Sequence, residues 1–192
     1  MNKFFDHVAP VYERLHGGAE KTFGRISALA GFQSTDRVLD IGGGTGRISQ
    51  FLVGKVAEVI VLDPSEKMIK ECKKHAGLTC QVGSGEEIPL ADESVDKVIM
   101  VDAFHHVGDQ KKLLSEIRRV LRPAGLILVE EFDPERFGGK LVLFFEKVLR
   151  LGSMFHSPKK LERLFENTGF AVRLLDQNRR EYYLLARKLE GE

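Results

Sequence analysis

Tryptophan is absent from this 192-residue sequence, cysteine occurs twice and proline six times. Two cysteines, Cys72 and Cys80, cannot build the disulfide framework of a small secreted domain, so the sequence reads as a reduced, cytoplasmic protein. No stretch approaches the roughly 18 consecutive apolar residues of a membrane span. The opening MNKFFDHVAPVYERLHGG lacks the apolar run of a signal peptide. Net charge is scarce too. With 29 Lys and Arg against 28 Asp and Glu, the chain carries +1, which argues against a generic nucleic-acid binder that needs excess cations facing phosphates. What is present is ordinary: 43% hydrophobic and 30% charged residues exclude a disordered or collagen-like chain, and the length suits a single domain, 1–192, with a sizeable core.

Residues 1–31 show no strand-like alternation. Phe23, Ile26, Leu29 and Ala30 fall at helical spacing, predicting an N-terminal helical cap broken near Gly17–Gly18. From Arg37 onward short apolar runs alternate with amphipathic stretches. Val38–Ile41 ends in the glycine cluster 42–46, after which Ile48, Phe51 and Leu52 resume helical spacing. Val59–Leu62 ends at Asp63 and leads into a helix through Met68 and Ile69. Strands around Thr79–Val82, Lys97–Val101 and Leu126–Val129 follow. Leu113, Leu114, Ile117, Val120 and Leu121 form one face of a helix that stops before Pro123. Continuous apolar strands between amphipathic helices predict a doubly wound, mostly parallel α/β sheet covered on both faces. Ser157–Pro158 and Gly169 frame a late helix. The runs Ala171–Leu175 and Tyr182–Ala186 then predict an antiparallel edge hairpin. Between the fifth strand and that helix lies an apolar segment, read as a helical insertion over 134–156.

Gly42, Gly44 and Gly46 stand between a buried strand and a predicted helix, where a ligand can touch backbone without meeting a Cβ. The helix would aim free N–H groups and its positive dipole end at that ligand. Asp63 closes the next strand 21 residues after Gly42, in position to accept two ribose hydroxyls. A dinucleotide fingerprint would need a third glycine at position 47, which is Arg47. That speaks against a nicotinamide oxidoreductase. Asp40, two residues before the loop, is badly placed against a pyrophosphate and well placed against a cationic amine. A ligand with a ribose, an amine and no phosphates is implied, which describes S-adenosylmethionine.

The sequence here resembles the class I S-adenosylmethionine-dependent methyltransferases, nearest to the small-molecule branch that includes the quinone-biosynthesis enzymes. The matching stretches are Val38–Gly46, Asp63–Met68, Gly85–Pro89 with Ser94–Asp96, Phe104–Val107 and Leu121–Leu126, together with the opening Phe5–Tyr12. The resemblance implies a seven-stranded Rossmann-like sheet and S-adenosyl-L-methionine as cofactor. It implies that Asp40, Gly42 and Gly44 hold the methionine part, that Asp63 takes the ribose and that Met68 packs on the adenine. Ser84, Gly85 and Glu86 would form the adenine loop, with Ser84 standing where that branch has an aspartate. Asp102 would border the point where the methyl group emerges, and Tyr12 would close over the cofactor. The implied reaction is methyl transfer to a small, partly apolar acceptor. The rival reading is a non-catalytic cofactor-binding module of the same fold that acts through a protein partner.

Methyl transfer to an activated carbon needs proximity and orientation, and a base only where the acceptor must lose a proton. His105 and His106 follow the fourth strand and are the first candidates for that base. Adjacent residues in extended chain point opposite ways, so at most one faces the substrate. Cys72 and His75 lie at helical spacing, but two ligands fall short of a metal site and none is expected. Lys73–Lys74, Lys111–Lys112 and Arg118–Arg119 read as solvated helix faces. Glu130 and Glu131 follow the fifth strand, facing either a pocket or solvent. The apolar segment 137–155, with Phe4 and Phe5, reads as a core helix, as a lid over an apolar acceptor pocket, or as the contact of a homodimer.

Overall fold

A computed structural model describes residues 18–136, 153–177 and 181–189. In chain order the elements are α1 (Ala19–Ala30), β1 (Arg37–Ile41), β2 (Glu58–Asp63), α2 (Glu66–Cys72), β3 (Thr79–Val82), β4 (Val95–Val101), α3 (Gln110–Val120), β5 (Leu121–Phe132), α4 (Pro158–Glu166), β6 (Phe170–Gln177) and β7 (Glu181–Lys188). Short 3-10 turns occupy Ser49–Leu52 and Phe104–His106. The strands form one seven-stranded sheet in the order β3-β2-β1-β4-β5-β7-β6. The first five are mutually parallel, and β7 runs antiparallel to both β5 and β6. This is the expected doubly wound sheet with its edge hairpin.

The apolar runs form strands because both of their faces are covered. On one face Leu39, Ile41, Val98, Met100, Ile127 and Val129 pack against Leu113, Leu114 and Ile117 of α3 and Leu161 and Phe165 of α4. On the other, Val38, Val59, Ile99 and Leu128 meet Phe23 and Ile26 of α1. Direction reverses between β1, which leads outward to β2, and β4, which leads the other way. That places a crevice beyond the carboxyl ends of β1 and β4, the usual ligand position in such sheets. Side chains fix the helix starts: Ser65 accepts from the Met68 N–H at 3.2 Å and Asp109 from the Lys112 N–H at 3.0 Å.

Three expectations need correction. The residues after the glycine cluster form the 3-10 turn Ser49–Leu52 and not an α-helix, because Gly54 takes φ 76° and turns the chain away within one turn. No long helix dipole therefore faces the loop. Cys72 and Cys80 are joined as a disulfide, since the last residue of α2 lies over β3 with the two Cα atoms 6.2 Å apart. The pair also removes Cys72 from any metal site, and no metal-binding cluster occurs among the described residues. Arg119 is not merely solvated. Its guanidinium donates to the carbonyls of Leu90 and Ile88 at 2.8 and 2.9 Å, while Glu116 accepts from the Ile88 N–H, so α3 clamps the loop before β4. Tyr12 and residues 137–152 lie outside the described residues. Of the expected insertion, Ser153–His156 runs as irregular chain.

Phe165 is fully buried between Phe104 and Phe170, with ring centroids 5.6 and 5.7 Å away. Phe165→Ala should cost about 3–5 kcal/mol, read as a lower urea midpoint with an unchanged m-value.

Candidate active site

The carboxyl ends of β1, β2 and β4 and the loop after β3 enclose a cavity of about 600 Å³. Asp40, Gly42, Gly44, Asp63, Met68, Ser84, Gly85, Glu86 and Asp102 all line it. The floor is the glycine loop. Gly42 adopts φ 71°, and a Cβ there would stand 2.6 Å from the Cβ of Ala103. At Gly43 an added Cβ would collide with a carboxylate oxygen of Asp40. Side chains are thus excluded from the loop, and a ligand can lie directly on its backbone.

Asp63, buried at the end of β2, accepts from the Gly44 N–H at 3.0 Å with one oxygen and from the Ser65 N–H at 2.8 Å with the other. Asp40 accepts from the Ser49 hydroxyl at 2.6 Å. Burial pushes Asp40 up to about 6, against the pull of Ser49 and of the Arg47 guanidinium. The Ser84 hydroxyl donates to the Glu86 carboxylate, and the Asp109 N–H donates to its other oxygen at 3.0 Å. These bonds hold Glu86 below the ordinary carboxylate range. With its proton committed to Glu86, Ser84 offers no donor to a ligand.

The two histidines lie in the 3-10 turn with ring centroids 4.1 Å apart, and one of them lines the cavity. His106 lines the cavity, with Nδ1 3.1 Å from the Ser153 hydroxyl. His105 does not line it. Its ring is buried, with Nδ1 2.7 Å from Glu131 and Phe155 stacked on it at 4.2 Å. Glu131 also accepts the Phe104 N–H at 2.9 Å, so it fixes the whole turn after β4. Sequence reasoning missed this anchoring role and the position of Arg47 on the cavity wall. The period-two alternation of β5 would have separated Glu130 from Glu131.

Such a cavity, with a glycine floor at a topological switch point and a carboxylate closing the second strand, defines a nucleoside-binding Rossmann-like protein. Residues 39–129 match the methyltransferase domain family. Demethylmenaquinone methyltransferase of Tropheryma whipplei is 30% identical over 180 residues, covering 87% of this chain and 75% of that one. The ubiquinone/menaquinone biosynthesis C-methyltransferase of Rubrivivax gelatinosus is 36% identical over 111 residues, 57% of this chain. The chain spans under half the length of several curated relatives it matches, 44% of the Rubrivivax protein among them. A solved SAM-dependent methyltransferase from Thermotoga maritima superposes with a TM-score of 0.78 at 27% identity, covering 96% and 97% of the two chains. The chain belongs to the class I S-adenosylmethionine-dependent methyltransferases.

The cavity's chemistry fits S-adenosylmethionine, the cofactor of that family. Its wall carries the carboxylates of Asp40, Asp63 and Glu86 against the single guanidinium of Arg47. That balance suits a cationic ligand and repels a pyrophosphate. If Asp40 holds the ligand's amine, binding requires its ionised form. The affinity for S-adenosylhomocysteine should therefore fall as pH drops through 6, by about tenfold between about pH 7 and pH 5. In Asp40→Asn that pH dependence should vanish from calorimetric titrations.

Proposed function

We propose that the protein transfers the methyl group of S-adenosylmethionine to a small, partly apolar acceptor, most simply a reduced quinone of the class named in its relatives. The observation that carries this reading is the Asp63 carboxylate, which binds both the glycine loop and the start of α2 while facing the cavity. In this reading Asp63 takes the ribose hydroxyls, and Asp40 with Gly42 and Gly44 holds the methionine part. Met68 lies under the adenine; it is buried, and its sulfur would sit 3.7 Å from a Cβ on Gly44. Backbone groups of Ser84, Gly85 and Glu86 read the adenine edge, because the Ser84 hydroxyl is engaged with Glu86.

When bound, the cofactor supplies a methyl group already activated by a positive sulfur. The chain's own task is then to position the acceptor and exclude water. His106, tethered to Ser153, borders that space. Met154 donates its N–H to the His105 carbonyl at 2.7 Å, and Tyr182 donates to the His156 carbonyl at 3.0 Å. These bonds strap residues 153–156 across the turn after β4.

Calorimetry with S-adenosylhomocysteine and, separately, with NADH tests the reading. Tight binding of the first alone is expected. NADH binding alone would overturn it. Asp63→Ala should weaken S-adenosylhomocysteine binding by about 1–3 kcal/mol through lost charge-assisted hydrogen bonds, and an unchanged dissociation constant would contradict the ribose role.

A further inference from the structure

Asp102 is a non-glycine residue held at φ 52°, directly after β4. Its N–H donates to the Glu130 carbonyl at 3.1 Å, and its side chain lines the cavity. Asp102 Oδ1 is buried with no hydrogen-bond partner among the described residues, and so is Glu130 Oε2. Glu130 is 3% exposed and sits beside Val101 on one side and Tyr183 on the other in the strand register. Two carboxyls with unused acceptor atoms thus lie within electrostatic reach of each other, Asp102 on the cavity wall and Glu130 buried in the neighbouring strand. A buried, unpaired polar atom costs stability, so the pair is not explained by folding.

We propose that Asp102 is the proton acceptor for methyl transfer, taking the proton of an acceptor hydroxyl, with Glu130 as the positioning carboxyl beside it. This rests on the methyltransferase reading above. The acceptor's O–H proton passes to an Asp102 oxygen. The electron pair so freed delocalises into the ring, and a ring carbon bonds the methyl carbon as the carbon–sulfur bond breaks, that bond's pair staying on sulfur. The proton on that ring carbon then leaves to solvent while Asp102 returns its proton to the oxygen, so the sum is one methyl gained and one proton lost. The surrounding groups suit the task. Burial, then Glu131, pushes Asp102 upward, opposed by His105 and Arg47. Burial, then Asp102 itself, pushes Glu130 upward, with Glu181 adding to it and Tyr183 and Arg47 opposing. Both carboxyls thus titrate nearer neutrality than ordinary ones, where a base works best.

Asp102→Asn is the first test, because asparagine tolerates a left-handed φ and keeps the shape. With a naphthohydroquinone as probe acceptor, kcat should fall by about 100-fold or more. Its rise with pH should be lost, and S-adenosylhomocysteine affinity should stay within about twofold. Asp102→Gly, which also suits that φ, should regain rate with added formate. Infrared titration of the unliganded protein should show carboxyl protons leaving near neutrality, fewer of them in either Asp102→Asn or Glu130→Gln. An Asp102→Asn enzyme with full kcat and an unchanged profile overturns the proposal. So does loss of S-adenosylhomocysteine binding in that variant, which would make Asp102 a cofactor ligand. A wild-type protein that fails to bind S-adenosylhomocysteine overturns the methyltransferase reading itself.

Discussion

One buried carboxylate organises the binding end of this sheet. Asp63 accepts a hydrogen bond from the glycine loop after β1 and another from the residue that caps α2. Each bond is short and charge-assisted, a type worth about 1.5–3 kcal/mol. The loop's path depends on it, because glycine residues at positive φ have no packing of their own to hold them. The position of Met68 depends on it as well, since Ser65 must be held before its hydroxyl can cap the Met68 N–H. The cavity floor and the cavity side wall are therefore set by the same side chain.

The opposite wall has its own anchor. Glu131 gathers the N–H groups of Phe104 and His105 and the His105 ring, and so fixes the turn after β4. Glu130, its neighbour, is sent to the other face by the pleat. There it lies beside Asp102 without a partner for one oxygen. A single dipeptide at the end of β5 thus supplies a structural anchor on one face and a titratable group on the other. The strap from Ser153 to His156 covers the anchored side, through Met154, Gln110 and Tyr182.

Much of this was legible in the residues. Continuous apolar runs ending in Asp40–Gly46, Asp63 and Asp102 named the strands and the edge where a ligand would sit, because a parallel sheet buried on both faces leaves little other pattern. The hairpin at the end and the helix that opens at Pro158 were equally plain. The rest depends on partners distant in sequence. Nothing local to Arg119 announces the carbonyls of Ile88 and Leu90 that it clamps, 31 and 29 residues away. Nor does Cys72 announce Cys80, since their meeting requires α2 to lie over β3. Helical spacing after the glycine cluster overestimated a helix that Gly54 ends after one turn. Ser84 looked like a substitute adenine ligand until Glu86 two residues away was seen to take its proton.

The central claim is that Asp63 and Asp40 place a nucleoside and its amine on the glycine loop. A crystal structure of the protein grown with S-adenosylhomocysteine tests this most directly. The account predicts the ribose hydroxyls within hydrogen-bonding distance of Asp63, the amine beside Asp40 and the thioether sulfur toward Asp102. A nucleoside bound outside this cavity, or lying in it with its ribose away from Asp63, would contradict the account.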